Sequence, residues 1–136
     1  MNREVEFRGY DEISGLWRYG SLLVDGWLTY ICQIIQGEIV KWCVNPESVC
    51  QFTGLRDKHG RKIYEGDVVR RKDSAYGMED TGVVKFDCSL GAFVLESENR
   101  GRTYRAVFKK GFSDNDGKCT IEGTYTYEVV GNIHEK

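Results

Sequence analysis

Residues 51–70, with the sequence QFTGLRDKHGRKIYEGDVVR, constrain the fold more than any other part of the chain. Asp57 begins a predicted reverse turn that ends at Gly60, because an Asp at the first position of a turn accepts a hydrogen bond from a backbone amide two residues further on. Strand-forming residues follow, but Gly66 interrupts them, and a glycine inside a strand pattern marks a bulge or a sharp bend. We therefore predict a strand that bends at Gly66, which is how small barrels turn their corners.

The first third of the chain predicts an antiparallel meander. Apolar runs at residues 16–24 and 27–35 are separated by Asp25-Gly26, which is a strong hairpin signal. A third run at residues 39–44 follows another turn, and sequential strands usually pair. Each run carries one tryptophan: Trp17, Trp27 and Trp42. We expect these three side chains to lie in the core or, if one face of the meander is not covered by the barrel, at an interface, and we favour the core.

The rest of the chain predicts more short strands. Asn45, Pro46 and Glu47 are typical of one helical turn, since they supply an N-cap, a proline at the first helical position and an acid at the positive helix end. Further strands are predicted at residues 62–71, 82–87, 92–96, 103–108 and 125–133. We therefore predict a mostly β protein, with an N-terminal meander subdomain at residues 1–50 and an SH3-like β-barrel at residues 51–136. A loop at residues 71–81 is expected to project from the barrel rim, and part of residues 97–123 is predicted to be disordered.

The central motif resembles that of the YopX family, small proteins carried by bacteriophages and prophages. The matching positions are Gln51, Phe52, Thr53, Gly54, Leu55, Asp57, Gly60, Ile63, Tyr64, Glu65, Gly66, Asp67, Val68 and Val69. Residues 7–22 and 129–133 resemble the opening and closing segments of the family, so the resemblance covers the full chain, although Cys50 and residues 97–126 depart from the pattern. The resemblance implies a phage context and no established biochemical activity. We interpret the motif residues as structural.

Composition excludes several classes of function. The net charge of −2 gives no overall attraction to nucleic acid or to anionic lipid. No apolar run reaches the roughly 18 residues that span a membrane, and the charged first eight residues lack the apolar segment of a signal peptide. We therefore expect a cytoplasmic protein of the bacterial host cell. Because no glycine-rich phosphate loop occurs, we expect no cofactor.

The five cysteines do not predict a metal site or disulfides. They are odd in number and widely spaced, with no C-x-x-C pair. In the cytosol they should be free thiols. We expect Cys32 and Cys43 to be buried and the other three, Cys50, Cys88 and Cys119, to be partly exposed.

Acidic residues of the central motif leave an alternative function open. Asp57, Glu65 and Asp67, with His59, could serve a small metal-dependent hydrolase. Against this, Asp57 has a role in its turn, and Glu65 and Asp67 flank a glycine at a bend, where acids accept backbone hydrogen bonds. We therefore predict no catalytic residues and no metal. A divalent ion held by three of these side chains would favour the enzyme.

Basic residues in the second half suggest a weak nucleic-acid surface. Cations interleaved with tyrosines suit single-stranded nucleic acid, because phosphates pair with the cations and bases stack on the rings. The residues expected to line one rim are Arg70, Arg71, Lys72, Arg102, Tyr104, Arg105 and Lys109. Acids follow closely along the chain, and a solvated strand face of mixed charge is the simpler interpretation.

We therefore predict a non-enzymatic interaction module that binds an unknown protein partner or, weakly, single-stranded nucleic acid. A three-stranded meander in so short a chain leaves apolar surface uncovered, and closed symmetric assembly would bury it. A homo-oligomer is expected.

Overall fold

Eleven strands and one 3₁₀ turn make up the regular structure of the residues that this computed structural model describes, which are 4–73, 77, 79–108 and 125–134. The strands form two antiparallel sheets, and there is almost no helix, as the sequence predicts. The chain divides into a first unit, residues 1–52, and a second unit, residues 53–136.

The first unit contains the predicted meander, one additional strand before it and the beginning of another after it. Its strands are β1 (Phe7–Asp11), β2 (Leu16–Asp25), β3 (Leu28–Ile35), β4 (Glu38–Cys43) and the beginning of β5 (Cys50–Arg56). Their order is β4-β3-β2-β1-β5. Strand β1 pairs with the first half of β2 and with the beginning of β5, whereas the second half of β2 pairs with β3.

Strand β2 changes its partner at Gly20. A Cβ atom at this position would lie 2.1 Å from the carbonyl oxygen of Cys32. No side chain fits at that distance, so the close approach of β3 at this point requires glycine. The segment beyond Gly20 runs on as the outer half of the meander.

The hairpin between β2 and β3 places Trp27 in water. Asp25 pairs with Leu28, so the turn consists of Gly26 and Trp27, and β3 begins one residue later than predicted. Trp27 is 98% exposed. The prediction that all three tryptophans lie in the core is therefore wrong for Trp27.

The predicted helical turn is a 3₁₀ turn over Pro46–Ser48. The side chain of its cap, Asn45, accepts a hydrogen bond of 3.0 Å from the amide of Glu47. Ser48 ties the turn to β1, because its hydroxyl oxygen accepts a 2.8 Å hydrogen bond from the amide of Tyr10. Local cap chemistry therefore forms the turn that leads the chain into β5.

The strands of the second unit are the remainder of β5, then β6 (Lys62–Tyr64), β7 (Asp67–Asp73), β8 (Glu79–Asp87), β9 (Ala92–Asn99), β10 (Arg102–Val107) and β11 (Tyr125–Asn132). The last five of these form an antiparallel sheet in the order β10-β9-β8-β7-β11. Within residues 53–73, 79–108 and 125–134, strands β10 and β11 are the two edges of the sheet and do not pair with each other. The predicted closed barrel is therefore not seen in this part of the chain.

One face of this sheet forms the core of the second unit. Val69, Val84, Leu95 and Tyr127 come from four of the five strands and are buried together. The other buried members of this core are Ile63 and Phe108. The rings of Phe108 and Tyr127 lie 5.2 Å apart, a distance typical of favourable aromatic pairs.

Several finer expectations need correction. Residues 71–73 and 79–81, predicted to be loop, belong to β7 and β8, while residues 97–99 and 102–107 of the predicted disordered stretch form strands. Residues 109–123 of that stretch lie outside the described part. Cys43 is exposed and Cys50 is buried, the reverse of the prediction. Cys32 is half-buried; it, Cys43, Cys50 and Cys88 are free thiols, and Cys119 lies outside the described part.

The described part of the chain contains no helix long and apolar enough to cross a bilayer.

Candidate interaction surfaces

The turn at Asp57 is fixed by a buried carboxylate. The amide of Gly60 donates to the carbonyl of Asp57 at 3.0 Å, so the predicted turn forms. Oδ1 of Asp57 accepts hydrogen bonds of 2.9 Å from the amides of His59 and Arg61, and Oδ2 accepts one of 2.9 Å from the amide of Val129. Because both carboxylate oxygens are occupied by backbone amides, Asp57 holds the turn against β11.

The bend at Gly66 has a similar construction. Gly66 has a φ of 85°, as the break in the strand pattern suggests. Its amide donates to the carbonyl of Val84 at 2.8 Å, and its carbonyl accepts from the amide of Ile133 at 2.9 Å. The buried carboxylate of Asp67 accepts a 2.8 Å hydrogen bond from the amide of Tyr64. The acids that could have formed a hydrolytic site are thus engaged in backbone structure at two of three positions.

The imidazole of His59 contacts an acid outside the motif. Its Nε2 lies 3.1 Å from Oε2 of Glu128. Within residues 4–73, 79–108 and 125–134, no three His, Cys, Asp or Glu side chains are placed to hold a metal ion. Asp57 and Asp67 thus serve the fold, since each carboxylate accepts hydrogen bonds from backbone amides.

Other motif residues connect strands or fill the core. Gln51 pairs with Phe7 of β1, and the amide of Phe52 donates to the carbonyl of Glu6 at 2.8 Å. The Thr53 hydroxyl donates to the carbonyl of Ile63 at 2.8 Å and accepts from the amide of Leu55 at 3.1 Å. Gly54 is exposed at a φ of 89°.

The structure distributes the predicted nucleic-acid residues over two faces of the sheet. Strand alternation and register put Arg70, Lys72 and Arg105 on the outer face. By the same register, Arg71, Arg102 and Tyr104 lie on the face that carries the core. Two strands lie between β7 and β10, so the basic residues of β7 are roughly 14 Å from those of β10. Lys109 lies outside the described residues.

Carboxylates already pair with three of these arginines. Arg71 binds both oxygens of Asp80, at 2.9 and 2.8 Å. Arg70 lies 3.2 Å from Glu128, and Nε of Arg105 lies 2.9 Å from Glu96. A phosphate group approaching these guanidinium groups would compete with a partner in place and be repelled by its charge.

The pairs on the outer face predict acid-sensitive stability. Hydrogen bonds from Lys85 and Arg105 lower the pKa of Glu96 below its ordinary value of 4.5. A carboxylate whose pKa is lower in the folded state than in the unfolded state stabilises the fold at any pH above its unfolded-state pKa. This contribution is lost as the pH falls through the folded-state pKa. We therefore expect the urea midpoint to fall between pH 5 and pH 3 more steeply for the wild type than for Glu96→Gln. Equal slopes in this window would contradict the pairing.

A second candidate surface lies in the first unit. We call residues 21–43, comprising the second half of β2 together with β3 and β4, the wing. Apolar side chains are exposed on both sides of the sheet, whereas Ile31 in β3 is fully buried. Register puts Leu22, Val24 and Ile35 on face one, and Leu23, Leu28, Ile34 and Ile39 on face two. Ile34 and Ile39 pair directly across strands and are each 76% exposed.

Consecutive apolar residues in the sequence distinguish the wing, whereas the alternation of polar and apolar residues does not. Three consecutive apolar residues, Leu22, Leu23 and Val24, and the pair Ile34 and Ile35 occupy both strand faces. A strand with one face in water alternates polar and apolar residues, whereas a continuous apolar run indicates a strand covered on both faces. Such runs usually indicate a buried strand, but here they are exposed. Apolar pattern and exposure therefore disagree in the wing.

Comparison with known proteins gives the family. Nothing among curated proteins matches this chain. Among solved structures, the crystal structure of protein EF1440 from Enterococcus faecalis is similar to it, with 19% sequence identity and a TM-score of 0.44, over 98% of this chain and 95% of that chain. The profile of the family described as YopX protein matches residues 6–136. This chain therefore belongs to the YopX family.

Proposed function

We propose that this protein is a non-enzymatic protein-binding module, encoded by a phage or prophage and acting in the cytoplasm of the bacterial host. The observation that carries the proposal is the wing, where apolar side chains are exposed on both faces of one small sheet and at the tip. Monomeric soluble proteins rarely expose contiguous apolar patches of more than a few hundred Å², and larger ones are typical of binding surfaces. Aromatic residues are enriched in such surfaces, and Trp27 is 98% exposed.

The charges favour a protein partner over nucleic acid. The net charge of −2 opposes phosphate, and Arg70, Arg71 and Arg105 each pair with a carboxylate. The wing's apolar surface, by contrast, suits a protein. An SH3-like arrangement of the second unit is part of the same proposal, supported by five short antiparallel strands with a core on one face.

Crosslinking in cells tests the proposal. A photoreactive phenylalanine analogue is placed at position 27, and the same analogue at position 13 serves as the control, because Ile13 is 94% exposed and lies outside the wing. We expect irradiation to give adducts with a second polypeptide from position 27 and not from position 13. Equal yields from the two positions would contradict a binding role for the wing.

A titration tests the nucleic-acid alternative. Labelled single-stranded DNA in a fluorescence-anisotropy experiment should show no binding tighter than the nonspecific range of about 10⁻⁴ to 10⁻⁶ M. Three or four phosphate contacts would give a slope of about −2 to −3 for log affinity against log salt, and Arg70→Glu with Arg71→Glu should flatten it. Binding well below micromolar that survives this double substitution would contradict the choice of a protein partner.

A further inference from the structure

The apolar surface of the wing has the size of a stable protein contact. Eight side chains contribute to it: Leu22, Leu23, Val24, Trp27, Leu28, Ile34, Ile35 and Ile39. Their exposed fractions amount to roughly 700–1,200 Å² if a fully exposed large apolar side chain offers on the order of 150–250 Å². Apolar atoms make up about 57–65% of protein interfaces. If one contact buries this apolar area, its total area is roughly 1,100–2,100 Å², which matches the standard range of about 1,200–2,000 Å².

The two faces of the wing require two neighbours. A flat partner that covers face two, with Ile34 and Ile39, leaves Val24 and Ile35 of face one in water, although Ile31 on the same face is already buried. Covering both faces of one sheet takes a second surface on the opposite side. A neighbouring wing supplies such a surface when its face one lies against face two of the first.

The charges of the wing are compatible with a neighbour of the same sequence. Within residues 21–43 the charged side chains are Asp25, Glu38 and Lys41. Both signs occur, and the net charge of −1 that follows from two acids and one lysine produces little repulsion between copies. The ammonium of Lys41 lies 4.6 Å from the ring centroid of Tyr30, so this lysine also rests on the wing's own surface. A partner of strongly positive or negative charge would gain little here, whereas an identical wing meets no opposition.

We propose that the wing joins copies of this chain head to tail, with face one of one copy packed on face two of the next, in a closed ring of three or more copies. This inference rests on the proposed protein-binding function and names the partner. Face one and face two carry different residues, so the contact is heterologous, and heterologous contacts close into rings when the rotation allows. The ring buries both faces of every wing.

The mass of the purified protein tests the ring. Light scattering after gel filtration should give at least three times the chain mass of 15.6 kDa. Val24→Lys blocks face one and Ile34→Lys blocks face two, and each should reduce the particle to single chains. Ile13→Lys is the matched control, because Ile13 is exposed outside the wing, and this variant should keep the wild-type mass. Thermal melts verify that each variant is folded.

Mixing the two wing variants tests the head-to-tail order. Val24→Lys retains an intact face two and Ile34→Lys an intact face one, so an equimolar mixture should form a heterodimer that neither variant forms alone. A wild-type dimer, or a Val24→Lys variant that stays assembled, would overturn the heterologous contact. A wild-type monomer would overturn the ring while leaving the binding function intact if position 27 still crosslinks to a different protein in cells.

Discussion

Replacing Gly66 by Val is expected to lower the free energy of unfolding by about 2 to 4 kcal/mol. A left-handed backbone conformation of this kind costs a residue other than glycine roughly 1–3 kcal/mol, and the site is buried. Gly66 has a φ of 85°. A β-branched side chain is a poor fit at positive φ. The backbone cannot relax easily, because its amide and carbonyl bind Val84 and Ile133 at 2.8 and 2.9 Å.

Gly54→Val is the matched control for this substitution. Gly54 has a nearly equal φ of 89°, but it is exposed and a Cβ there would meet nothing within 4 Å. The control therefore carries the backbone strain without the burial. We expect urea titrations to show a loss at least about 1 kcal/mol greater for Gly66→Val than for Gly54→Val, in line with the typical cost of overpacking. Equal midpoints for the two variants would show that only φ matters at the bend.

The elements that the sequence predicted correctly are those specified by local chemistry. The turn from Asp57 to Gly60, the bend at Gly66 and the 3₁₀ turn after Asn45 each contain a hydrogen bond between residues at most three positions apart. Such contacts leave a signature in residue type and spacing. The hairpin at Gly26 belongs to the same group.

The elements that the sequence missed depend on contacts between distant residues. Strand β1 is five residues long and includes Arg8 and Asp11, so its sequence shows no alternation. It exists because β2 and β5 supply partners on both sides. The single strand predicted at residues 62–71 is two strands, because Asp67 and Gly66 bind backbone groups on either side of the bend.

The sequence predicts uncovered apolar surface in the meander, but it does not show which side chains are exposed. The consecutive apolar residues in β2 and β3 indicate strands that need cover on both faces. Whether the same chain supplies the cover depends on the packing of every other element. Trp27 shows the sensitivity of such predictions, since a shift of one residue in the start of β3 moves this ring from a strand into an exposed turn.

The face of the sheet on which each basic residue lies also follows only from the strand register. Arg70, Arg71 and Lys72 form one cluster in the sequence, yet alternation sends Arg71 to the opposite face, where it binds Asp80 and lies 4.8 Å from the ring centroid of Tyr125. The carboxylate partner comes from another strand and is set by pairing between β7 and β8. Sequence clustering of cations therefore overstated the surface that they present together.

Replacing Asp57 by Ala is expected to lower the free energy of unfolding by about 3 to 5 kcal/mol, because hydrogen bonds to a charged group contribute roughly 1.5–3 kcal/mol each and buried amides without partners add to the cost. The side chain is fully buried and accepts from three amides. One of them belongs to Val129, next to the register shift between β11 and β7. A strand amide displaced from its ladder by a bulge needs another acceptor, and Asp57 supplies it from 72 residues away.

Asp87→Ala separates this long-range role from an ordinary turn. Asp87 also accepts from two amides, at 2.9 and 3.3 Å, but both lie within three residues, at Ser89 and Leu90. Its contact with the distant Arg105 is a side-chain pair of 3.4 Å rather than a bond from a strand amide. Its loss should lower the urea midpoint by less than half as much as the loss of Asp57. Hydrogen exchange gives a second measurement, because the Val129 amide should exchange faster in Asp57→Ala and at an unchanged rate in Asp87→Ala. Equal effects of the two substitutions on the midpoint and on Val129 exchange would mean that Asp57 merely closes its own turn, and that some other group satisfies the bulge of β11.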